Sequence, residues 1–366
     1  MQNAFHDLRV SRKQTQTSDA SVIYLEVPEA LKATFDYTAG QYLTLKVDID
    51  GQEERRAYSM CTSPLDGELG VCVKRLPGGK VSNYLLDQLH PGATLAVMPP
   101  DGRFVAEVDA AQRRAYYLVG AGSGITPLMS IARTVLATEV GSSVHLLYGN
   151  RSEQTIIFRD ELAALERDYA GQFTVDHILS QPAKRKAGGL GGMFGKKVTD
   201  WAGRVGRIDV QELERFLSER EARTERRAYY ICGPGAMIDT VEKALLRKGI
   251  PAEQIHTERF VVEEVADADR IQGTADGAVK VTLDGQVIEV TVASDKTILE
   301  ALVDAGYNPP YSCTSGACST CIAKVTSGEV KMDVNHALDP DEVEEGYCLT
   351  CQAHPVTGGV EVSYDE

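Results

Sequence analysis

The sequence has no apolar run approaching about eighteen residues, so no segment is predicted to span a membrane. The N-terminal sequence MQNAFHDLRVSRKQT lacks the apolar core of a secretory signal, and we expect a cytoplasmic protein. Thiols stay reduced in that compartment, so the eight cysteines are not expected to form a disulfide framework. Basic residues are also scarce. Against 53 Asp and Glu stand 38 Lys and Arg, and the net charge of −15 argues against a nucleic-acid partner.

The acidic charge is concentrated at the C-terminal end of the chain. Residues 277–366 hold 4 Lys and Arg against 15 Asp and Glu, a net charge of −11, which leaves only about −4 for the first 276 residues. An acidic segment often does no more than keep a protein soluble. This one also carries a group of cysteines, which favours a functional role.

Three sequence patterns follow one another along the chain. Residues 1–108 contain short alternating or β-branched runs broken by turns, which predicts an all-β domain, a small barrel. Residues 109–262 alternate strand and helix patterns, which predicts an α/β domain with a parallel sheet. Residues 263–276 are acidic and rich in small side chains, as expected of a linker. Residues 277–366 then show two strand patterns, a helix and a cysteine-rich loop.

One stretch interrupts the α/β pattern where a short loop is usual. Residues 183–206 hold seven glycines and six Lys or Arg against one Asp. This composition is typical of a disordered insertion. A basic loop that docks an acidic partner is the alternative interpretation.

The cysteine-rich loop YSCTSGACSTC spaces its cysteines as Cys313-x4-Cys318-x2-Cys321. Four thiolates hold a [2Fe–2S] cluster, and this spacing is the first part of the plant-type pattern. A zinc site is the alternative, because Cys318-x2-Cys321 and Cys348-x2-Cys351 look like paired zinc knuckles. Their separation of 26 residues exceeds that of the usual zinc ribbon, and zinc would leave Cys313 without a role.

The last ninety residues or so resemble a plant-type ferredoxin, which is a β-grasp domain of the α+β class. That family leaves about 29 residues between its third and fourth cluster ligands and places the fourth in an LTC or LSC context. Cys351 fits both features, whereas Cys348 occupies a position that is usually apolar. The resemblance therefore implies Cys313, Cys318, Cys321 and Cys351 as the cluster ligands.

The stretch RRAYSMCTS resembles the flavin motif of the ferredoxin–NADP reductase superfamily. The resemblance places the Arg56 guanidinium on the diphosphate of FAD, the Tyr58 ring against the flavin, and the catalytic Ser59 hydroxyl near flavin N5. In PGGKVSNYLLDQL, glycines lead into a helix start whose amides suit a diphosphate. The other residues expected to bind the flavin are Thr62, Gly78, Gly79, Ser82 and Phe260.

The stretch LVGAGSGITPLM follows a predicted strand and opens a helix, so its glycines allow the backbone to approach a pyrophosphate. It is not the Rossmann fingerprint, because Ile125 replaces the third glycine, but it is similar to the nicotinamide motif of the same superfamily. Arg151 suits a ribose 2′-phosphate, which favours NADPH, with NADH possible. The family's Cys-Gly-Pro turn implies Cys232 as a catalytic residue beside the nicotinamide. The expected nicotinamide contacts are Gly120, Gly122, Gly124, Thr126, Arg151, Cys232, Gly233 and Pro234.

The number and order of these motifs resemble the reductase components of multicomponent oxygenases over nearly the whole chain. The resemblance implies that a nicotinamide gives two electrons to the flavin, which releases them singly to the cluster. The implied acceptor is the oxygenase component of a monooxygenase of the di-iron kind, namely phenylacetyl-CoA epoxidase. A 3-ketosteroid hydroxylase, a hybrid-cluster enzyme as acceptor, and a non-enzymatic redox-sensing module remain alternatives.

Overall fold

The structure is a computed structural model, which describes residues 4–186, 197–221, 224–260, 270–274 and 277–366. Residues 187–196 of the predicted insertion, and residues 263–269 and 275–276 of the predicted linker, lie outside these ranges. The described strands form three main sheets, and each belongs to a different segment of the chain. No helix in this described part of the chain is long and apolar enough to cross a membrane.

The N-terminal sheet is a closed antiparallel barrel. Its elements are β1 (His6–Thr17), β2 (Ala20–Glu26), the 3-10 helix Glu29–Leu31, β3 (Tyr42–Ile49), β4 (Gln52–Ser59), β5 (Leu69–Lys74), α1 (Lys80–Asp87) and β6 (Thr94–Val97). The strand order is β4-β3-β6-β1-β2-β5, and a bridge from Met60 to Val71 joins the two outer strands. Leu43 and Leu45 of β3 are fully buried in the core of the barrel, and Leu85 of α1 belongs to the same hydrophobic cluster.

The second sheet is parallel and carries helices on its faces. Its elements are β7 (Ala115–Ala121), α2 (Ile125–Thr138), β8 (Ser143–Asn150), α3 (Arg159–Asp168), β9 (Phe173–Leu179), β12 (Arg204–Val205), α4 (Val210–Glu219), β13 (Arg227–Gly233), α5 (Gly235–Arg247) and β14 (Ile255–Arg259), with 3-10 helices at Gly122–Gly124, Glu153–Thr155 and Ala252–Gln254. The strand order is β12-β9-β8-β7-β13-β14. From β7 the chain adds strands on one side of the sheet, and it then crosses to the other side of β7 to add β13 and β14, so the strand order reverses between β7 and β13. Ligands bind at the carboxyl ends of the strands beside such a reversal. The short hairpin of β10 (Lys184–Lys186) and β11 (Lys197–Thr199) stands apart from this sheet.

The C-terminal sheet is mixed, as in a β-grasp domain. Its elements are β15 (Gly277–Leu283), β16 (Gln286–Val292), α6 (Ile298–Asp304), β17 (Ile322–Ser327), β18 (Val330–Met332), α7 (Pro340–Glu344), β19 (Tyr347–Leu349), β20 (Ala353–Pro355) and β21 (Val360–Ser363). The main order is β16-β15-β21-β17-β19, with β15 parallel to β21 and the other pairs antiparallel. A capping box of Thr297 and Glu300 begins α6, whose Ile298 and Leu302 face the sheet.

Packing and hydrogen bonds join the barrel to the parallel-sheet domain. One hydrophobic cluster contains Val22 and Phe104 from the barrel side together with Tyr116 and Leu128 from the parallel-sheet side. The Ser130 hydroxyl donates a hydrogen bond of 2.6 Å to the backbone oxygen of Thr62. These contacts hold α2 and the parallel-sheet domain against the barrel. The predicted all-β, α/β and β-grasp classes are all confirmed by this architecture.

Candidate flavin, nicotinamide and iron–sulfur sites

The cysteine-rich loop between α6 and β17 wraps its backbone amides around sulfur atoms. The Cys313 sulfur accepts hydrogen bonds from the amides of Ser315 and Ala317, each at 3.4 Å, and the Cys318 sulfur accepts one from the Cys313 amide at 3.5 Å. The loop turns through a positive φ of 71° at Gly316, where an added Cβ would lie 3.1 Å from a neighbouring carbonyl oxygen. Amide donors of this kind stabilise thiolates, which is the form that binds iron.

The fourth predicted ligand lies against the same loop. Thr350 donates from its amide at 3.1 Å and from its hydroxyl at 3.0 Å to the backbone oxygen of Cys321, which fastens the segment before Cys351 to the loop. Hydrogen bonds from the thiols of Cys318 and Cys351 hold the pKa of the Cys313 thiol well below its usual range. The Cys351 thiol also interacts with that of Cys321. The structure therefore brings all four predicted ligands together.

The sulfurs of the four predicted ligands interact in succession, Cys318 with Cys313, Cys313 with Cys351, and Cys351 with Cys321. Within the described ranges, no three histidine, cysteine or carboxylate side chains converge closely enough to hold a single metal ion. A [2Fe–2S] cluster needs four thiolates, two on each of two irons, so four neighbouring cysteine sulfurs suit it as a donor set.

Cys348 lies elsewhere. It is part of β19, pairs with Ala323 and packs into the core of the β-grasp sheet with residues such as Val279 and Val362. Its side chain is 1% exposed, and burial raises the pKa of its thiol to about 12. This placement agrees with the prediction that Cys348 is a packing residue, which only a variant can test.

The predicted catalytic residues Ser59 and Cys232 meet where the barrel contacts the parallel sheet. The Ser59 hydroxyl, at the end of β4, donates a hydrogen bond of 3.2 Å to an Oε of Glu258. The Cys232 sulfur, at the end of β13, lies 4.0 Å from the same oxygen. Burial raises the pKa of Glu258 to about 8, and the hydrogen bond from Ser59 partly offsets that rise. Burial also raises the pKa of Cys232, and the Glu258 carboxyl adds to the effect.

No sequence motif pointed to Glu258 itself. Its place depends on the parallel pairing of β13 with β14, which sets Glu258 directly beside Cys232 in the ladder. The available signal was its position two residues before Phe260, in the segment expected to cover the flavin. Phe260 itself is partly buried against the cluster that joins the two domains.

The other predicted flavin residues lie around β4 and α1. Arg56 is half-buried, with Nη2 at 3.1 Å from an Oε of Glu54 and Nη1 donating to the backbone oxygen of Arg55 at 2.6 Å. Tyr58 is partly buried, and burial raises its pKa. Gly78 has a φ of 75°, and Gly79 begins α1 without any side-chain cap. The free amides of this first turn suit an anionic diphosphate.

Two predicted flavin residues already have partners within the protein. The Thr62 hydroxyl lies 2.9 Å from that of Tyr37 and accepts a hydrogen bond of 3.2 Å from the Gly70 amide. The Ser82 hydroxyl accepts a hydrogen bond of 3.1 Å from the Leu76 amide, which ties the α1 start to the turn before it. In this structure, both hydroxyls shape the barrel wall and the helix entry.

The glycine-rich turn after β7 lies at the strand reversal expected of a nucleotide site. Gly122 has a φ of 57°, and a Cβ on Gly120 would lie 2.7 Å from a methyl carbon of Leu128. A Cβ on Gly124 would lie only 2.0 Å from the backbone oxygen of Cys232. Gly124 is thus required by the contact between the two nicotinamide motifs as well as by any approach of a pyrophosphate. The Thr126 hydroxyl donates to the Ser123 oxygen at 3.1 Å, so it supports the turn.

The end of β13 forms the other side of this site. Gly233 and Pro234 lead directly into α5, whose Met237 amide donates to the Pro234 oxygen at 2.9 Å. A Cβ on Gly233 would lie 2.7 Å from the Met237 methyl carbon, at the end of a flexible side chain, and 3.2 Å from the Ala121 amide nitrogen, so this turn packs closely against the end of β7. Arg151 directly follows β8, is exposed, and has no ion-pair partner among the described residues.

A second residue that sequence analysis missed is Lys74. Its amine lies 3.5 Å from the position that a Cβ on Gly122 would occupy, so a cation from the barrel faces the glycine-rich turn. It has no ion-pair partner among the residues that the structure describes. A lysine beside backbone amides at a helix start suits a pyrophosphate. The donor sets at all three sites therefore fit the groups that the sequence predicted.

Three family descriptions match this chain in succession. Residues 7–105 match an oxidoreductase FAD-binding domain, residues 118–196 an oxidoreductase NAD-binding domain, and residues 281–356 a 2Fe-2S iron-sulfur cluster binding domain. Among solved structures, phthalate dioxygenase reductase shares the fold with a TM-score of 0.60 and 24% identity, covering 98% of each chain. An intact type IV self-sufficient cytochrome P450 monooxygenase superposes with a TM-score of 0.65 and 24% identity, over 98% of this chain and 40% of that one.

Two curated relatives match over nearly their full length. A component of the 1,2-phenylacetyl-CoA epoxidase of Escherichia coli (strain K12) is 38% identical over 366 residues, which span 99% of this chain and 98% of that protein. The ferredoxin reductase component of the 3-ketosteroid-9-alpha-monooxygenase of Mycolicibacterium smegmatis is 37% identical over 377 residues, which span 98% of this chain and 97% of that protein.

The fold and these sites define an oxidoreductase that carries electrons between a nicotinamide, FAD and a [2Fe–2S] cluster within one chain. The predicted cofactors FAD, [2Fe–2S] and a nicotinamide nucleotide are thereby confirmed. The chain belongs to the family of flavin and iron–sulfur reductases that includes these two proteins of oxygenase systems.

Proposed function

We propose that this chain takes electrons from NADPH and delivers them, through FAD and the cluster, to the oxygenase component of a phenylacetyl-CoA epoxidase of the di-iron kind. The main support for the proposal is the position of the residues at the end of strand β4 in the barrel. Its Ser59 faces Cys232 and Glu258 of the nicotinamide domain, while the neighbouring strand contacts the cluster loop through Tyr42. The 38% identity with the Escherichia coli epoxidase component supports this acceptor.

When bound, the nicotinamide supplies an electron pair, the flavin divides it, and the cluster passes single electrons outward. The chain's own residues position these groups. Ser59 offers a hydroxyl at the β4 end, and the close contact of Gly124 with Cys232 holds the two nicotinamide motifs together. Glu258, with its pKa raised to about 8, holds a proton at neutral pH and keeps a buried negative charge away from Ser59.

The preference for NADPH rests on Arg151. Its guanidinium is exposed at the carboxyl end of β8 and carries no ion pair among the described residues, so it is available to a phosphate on the ribose. Lys74 faces the turn where the pyrophosphate shared by both coenzymes would lie. Arg151 would thus distinguish the coenzymes, and Lys74 would not.

We propose the same domain boundaries that the sequence suggested: a flavin barrel over residues 1–108, a nicotinamide domain over 109–262, a linker over 263–276 and a ferredoxin domain over 277–366. The net charge of −11 on the last segment supports docking to a basic patch on the oxygenase. All eight cysteines are free thiols in the structure, which suits work in the reducing cytoplasm.

Reconstitution with purified oxygenase components tests the acceptor. With NADPH and the phenylacetyl-CoA oxygenase, we expect NADPH oxidation to be coupled to oxygenation of phenylacetyl-CoA, and the coupling to weaken as salt screens the acidic domain. A Cys351→Ala variant should lose the coupling, and the chain alone should oxygenate nothing. The 3-ketosteroid oxygenase serves as the competing acceptor. Equal or better coupling to that enzyme, or coupling that survives loss of the cluster, would overturn the proposal.

A further inference from the structure

A single tyrosine of the flavin barrel reaches the loop that holds the cluster. The Tyr42 hydroxyl lies 2.7 Å from the backbone oxygen of Cys318, to which it donates, and 2.6 Å from the hydroxyl of Thr320. The Thr320 hydroxyl lies 3.3 Å from the Cys318 sulfur. The tyrosine is 3% exposed, so water does not compete for these hydrogen bonds.

The direction of these hydrogen bonds follows from the chemistry of a cluster ligand. A thiolate sulfur can only accept, so the Thr320 hydroxyl donates to Cys318 when iron is bound. The single hydrogen of the Tyr42 hydroxyl is then shared between the Thr320 oxygen and the Cys318 backbone oxygen, since neither has a hydrogen to give back, and an Oδ of Asp101 lies farther from the same hydroxyl at 3.2 Å. The result is a hydrogen-bonded connection from the barrel to a ligand sulfur.

The other end of Tyr42 is fixed to the flavin site. It is the first residue of β3 and stands directly opposite Ser59 of β4 in the antiparallel ladder. Its backbone exchanges hydrogen bonds with Asp101 at 2.9 and 3.0 Å. Its ring lies over Gly102, where an added Cβ would come within 2.8 Å of a ring carbon. The backbone and the ring are therefore both held, which gives the hydroxyl a defined position.

Two further contacts join the barrel to the ferredoxin domain. The buried Arg55 guanidinium donates to the Asn308 side chain and lies 4.0 Å from the centre of the Tyr311 ring. Arg103 pairs with Glu342 of α7. Neither contact reaches a ligand cysteine, whereas the Tyr42 contact does.

We propose that Tyr42 is the positioning residue that holds the cluster loop in register with the flavin site and sets the electron route between them. The proposal rests on the proposed roles of Ser59 and the four cysteines, but not on the identity of the oxygenase. Electron transfer depends steeply on the gap between the two groups, so a loop that is held less firmly lowers the rate even when both cofactors are bound.

The test compares Tyr42→Phe with Tyr116→Phe in the holoprotein. The control also removes a buried hydroxyl, which donates to Glu139 at 3.0 Å within the nicotinamide domain. For Tyr42→Phe, we expect NADPH-dependent ferricyanide reduction, which needs only the flavin, to stay within about twofold. Cytochrome c reduction, which needs the cluster, should fall about tenfold, equivalent to about 1.4 kcal/mol. The control should change neither rate.

Two measurements on the same samples do not depend on turnover. Amide hydrogen exchange of residues 312–321 should become faster in Tyr42→Phe, because the loop has lost its anchor. The reduction potential of the cluster should fall and its EPR spectrum should change, since hydrogen bonding around a ligand sulfur stabilises the reduced state. Neither quantity should change in the control.

A Thr320→Val variant keeps the proposal testable if Tyr42→Phe folds poorly. Thr320→Val leaves Tyr42 in place and removes the hydroxyl that lies between Tyr42 and the Cys318 sulfur, so by itself it should lower cytochrome c reduction and the cluster potential while ferricyanide reduction stays within about twofold. The proposal would be overturned if Tyr42→Phe left unchanged the amide hydrogen exchange of the loop, the reduction potential of the cluster and the ratio of the two reduction rates. Equal losses of ferricyanide and cytochrome c reduction would also overturn it. Loss of the flavin or the cluster itself would instead count against the site assignments.

Discussion

Replacing Glu258 by glutamine should remove a specific pH dependence of stability. The pKa of Glu258 is about 8 in the folded chain, against an ordinary value of 4.5. A raised carboxyl pKa means that the folded state binds the proton more tightly than the unfolded state. Its contribution to stability is therefore complete below about pH 4.5 and is lost as the pH rises towards about 8. Between those limits, one such group lowers the free energy of unfolding by up to about 1.4 kcal/mol per pH unit.

Between about pH 5.5 and about pH 7.5, the free energy of unfolding of the wild type should fall by about 2–3 kcal/mol relative to that of Glu258→Gln. Glutamine keeps the size of the side chain but has no proton to lose. Urea unfolding can be followed by the fluorescence of Trp201, the single tryptophan, which packs against the cluster that joins the nicotinamide domain to the barrel. The exposed Glu253 is the matched control, and its change to glutamine should leave the wild-type pH dependence in place. Parallel curves for the wild type and Glu258→Gln would refute this account of the buried carboxyl.

The nucleotide site supports three further predictions. Arg151→Ala should raise the KM for NADPH about 10- to 150-fold more than that for NADH, because a charge-assisted hydrogen bond contributes about 1.5–3 kcal/mol and only NADPH carries the phosphate; equal effects would remove the argument for NADPH. Lys74→Gln should raise both KM values alike, and a selective effect on NADPH would place Lys74 at the 2′-phosphate instead. Gly124→Ala should cost about 1–3 kcal/mol in thermal unfolding and weaken both coenzymes, because its methyl group meets the Cys232 oxygen at 2.0 Å. Gly358→Ala is the control, because a Cβ on Gly358 would have no heavy atom within 4 Å, and it should change neither thermal unfolding nor coenzyme binding.

The parts of the sites that lie within one loop could be predicted from the sequence. The spacing of Cys313, Cys318 and Cys321 and the resemblance that added Cys351 identified four residues that the structure brings together. The strand and helix patterns likewise predicted three fold classes, because each domain encloses its own apolar core.

Contacts between elements that are distant in the chain could not be predicted in this way. Glu258 reaches Ser59 across 199 positions, and Tyr42 reaches Cys318 across 276 positions. No periodicity or spacing encodes such pairs, since they depend on strand order and on how the domains meet. Gly124 lies in a motif that was recognised from the sequence. The sequence did not show, however, that a Cβ is excluded there partly because Gly124 packs against Cys232.

We propose that electrons leave this chain through a cluster that is held by Cys351 and not by Cys348. The direct measurement is the visible absorbance of purified Cys351→Ala and Cys348→Ala, together with their NADPH-dependent reduction of ferricyanide and cytochrome c. We expect Cys351→Ala to lose the cluster absorbance and cytochrome c reduction while it retains flavin and ferricyanide reduction, because one missing thiolate opens an iron site. Cys348→Ala should keep all four properties. A bleached Cys348→Ala beside an intact Cys351→Ala, or cytochrome c reduction that persists without the cluster, would contradict the account.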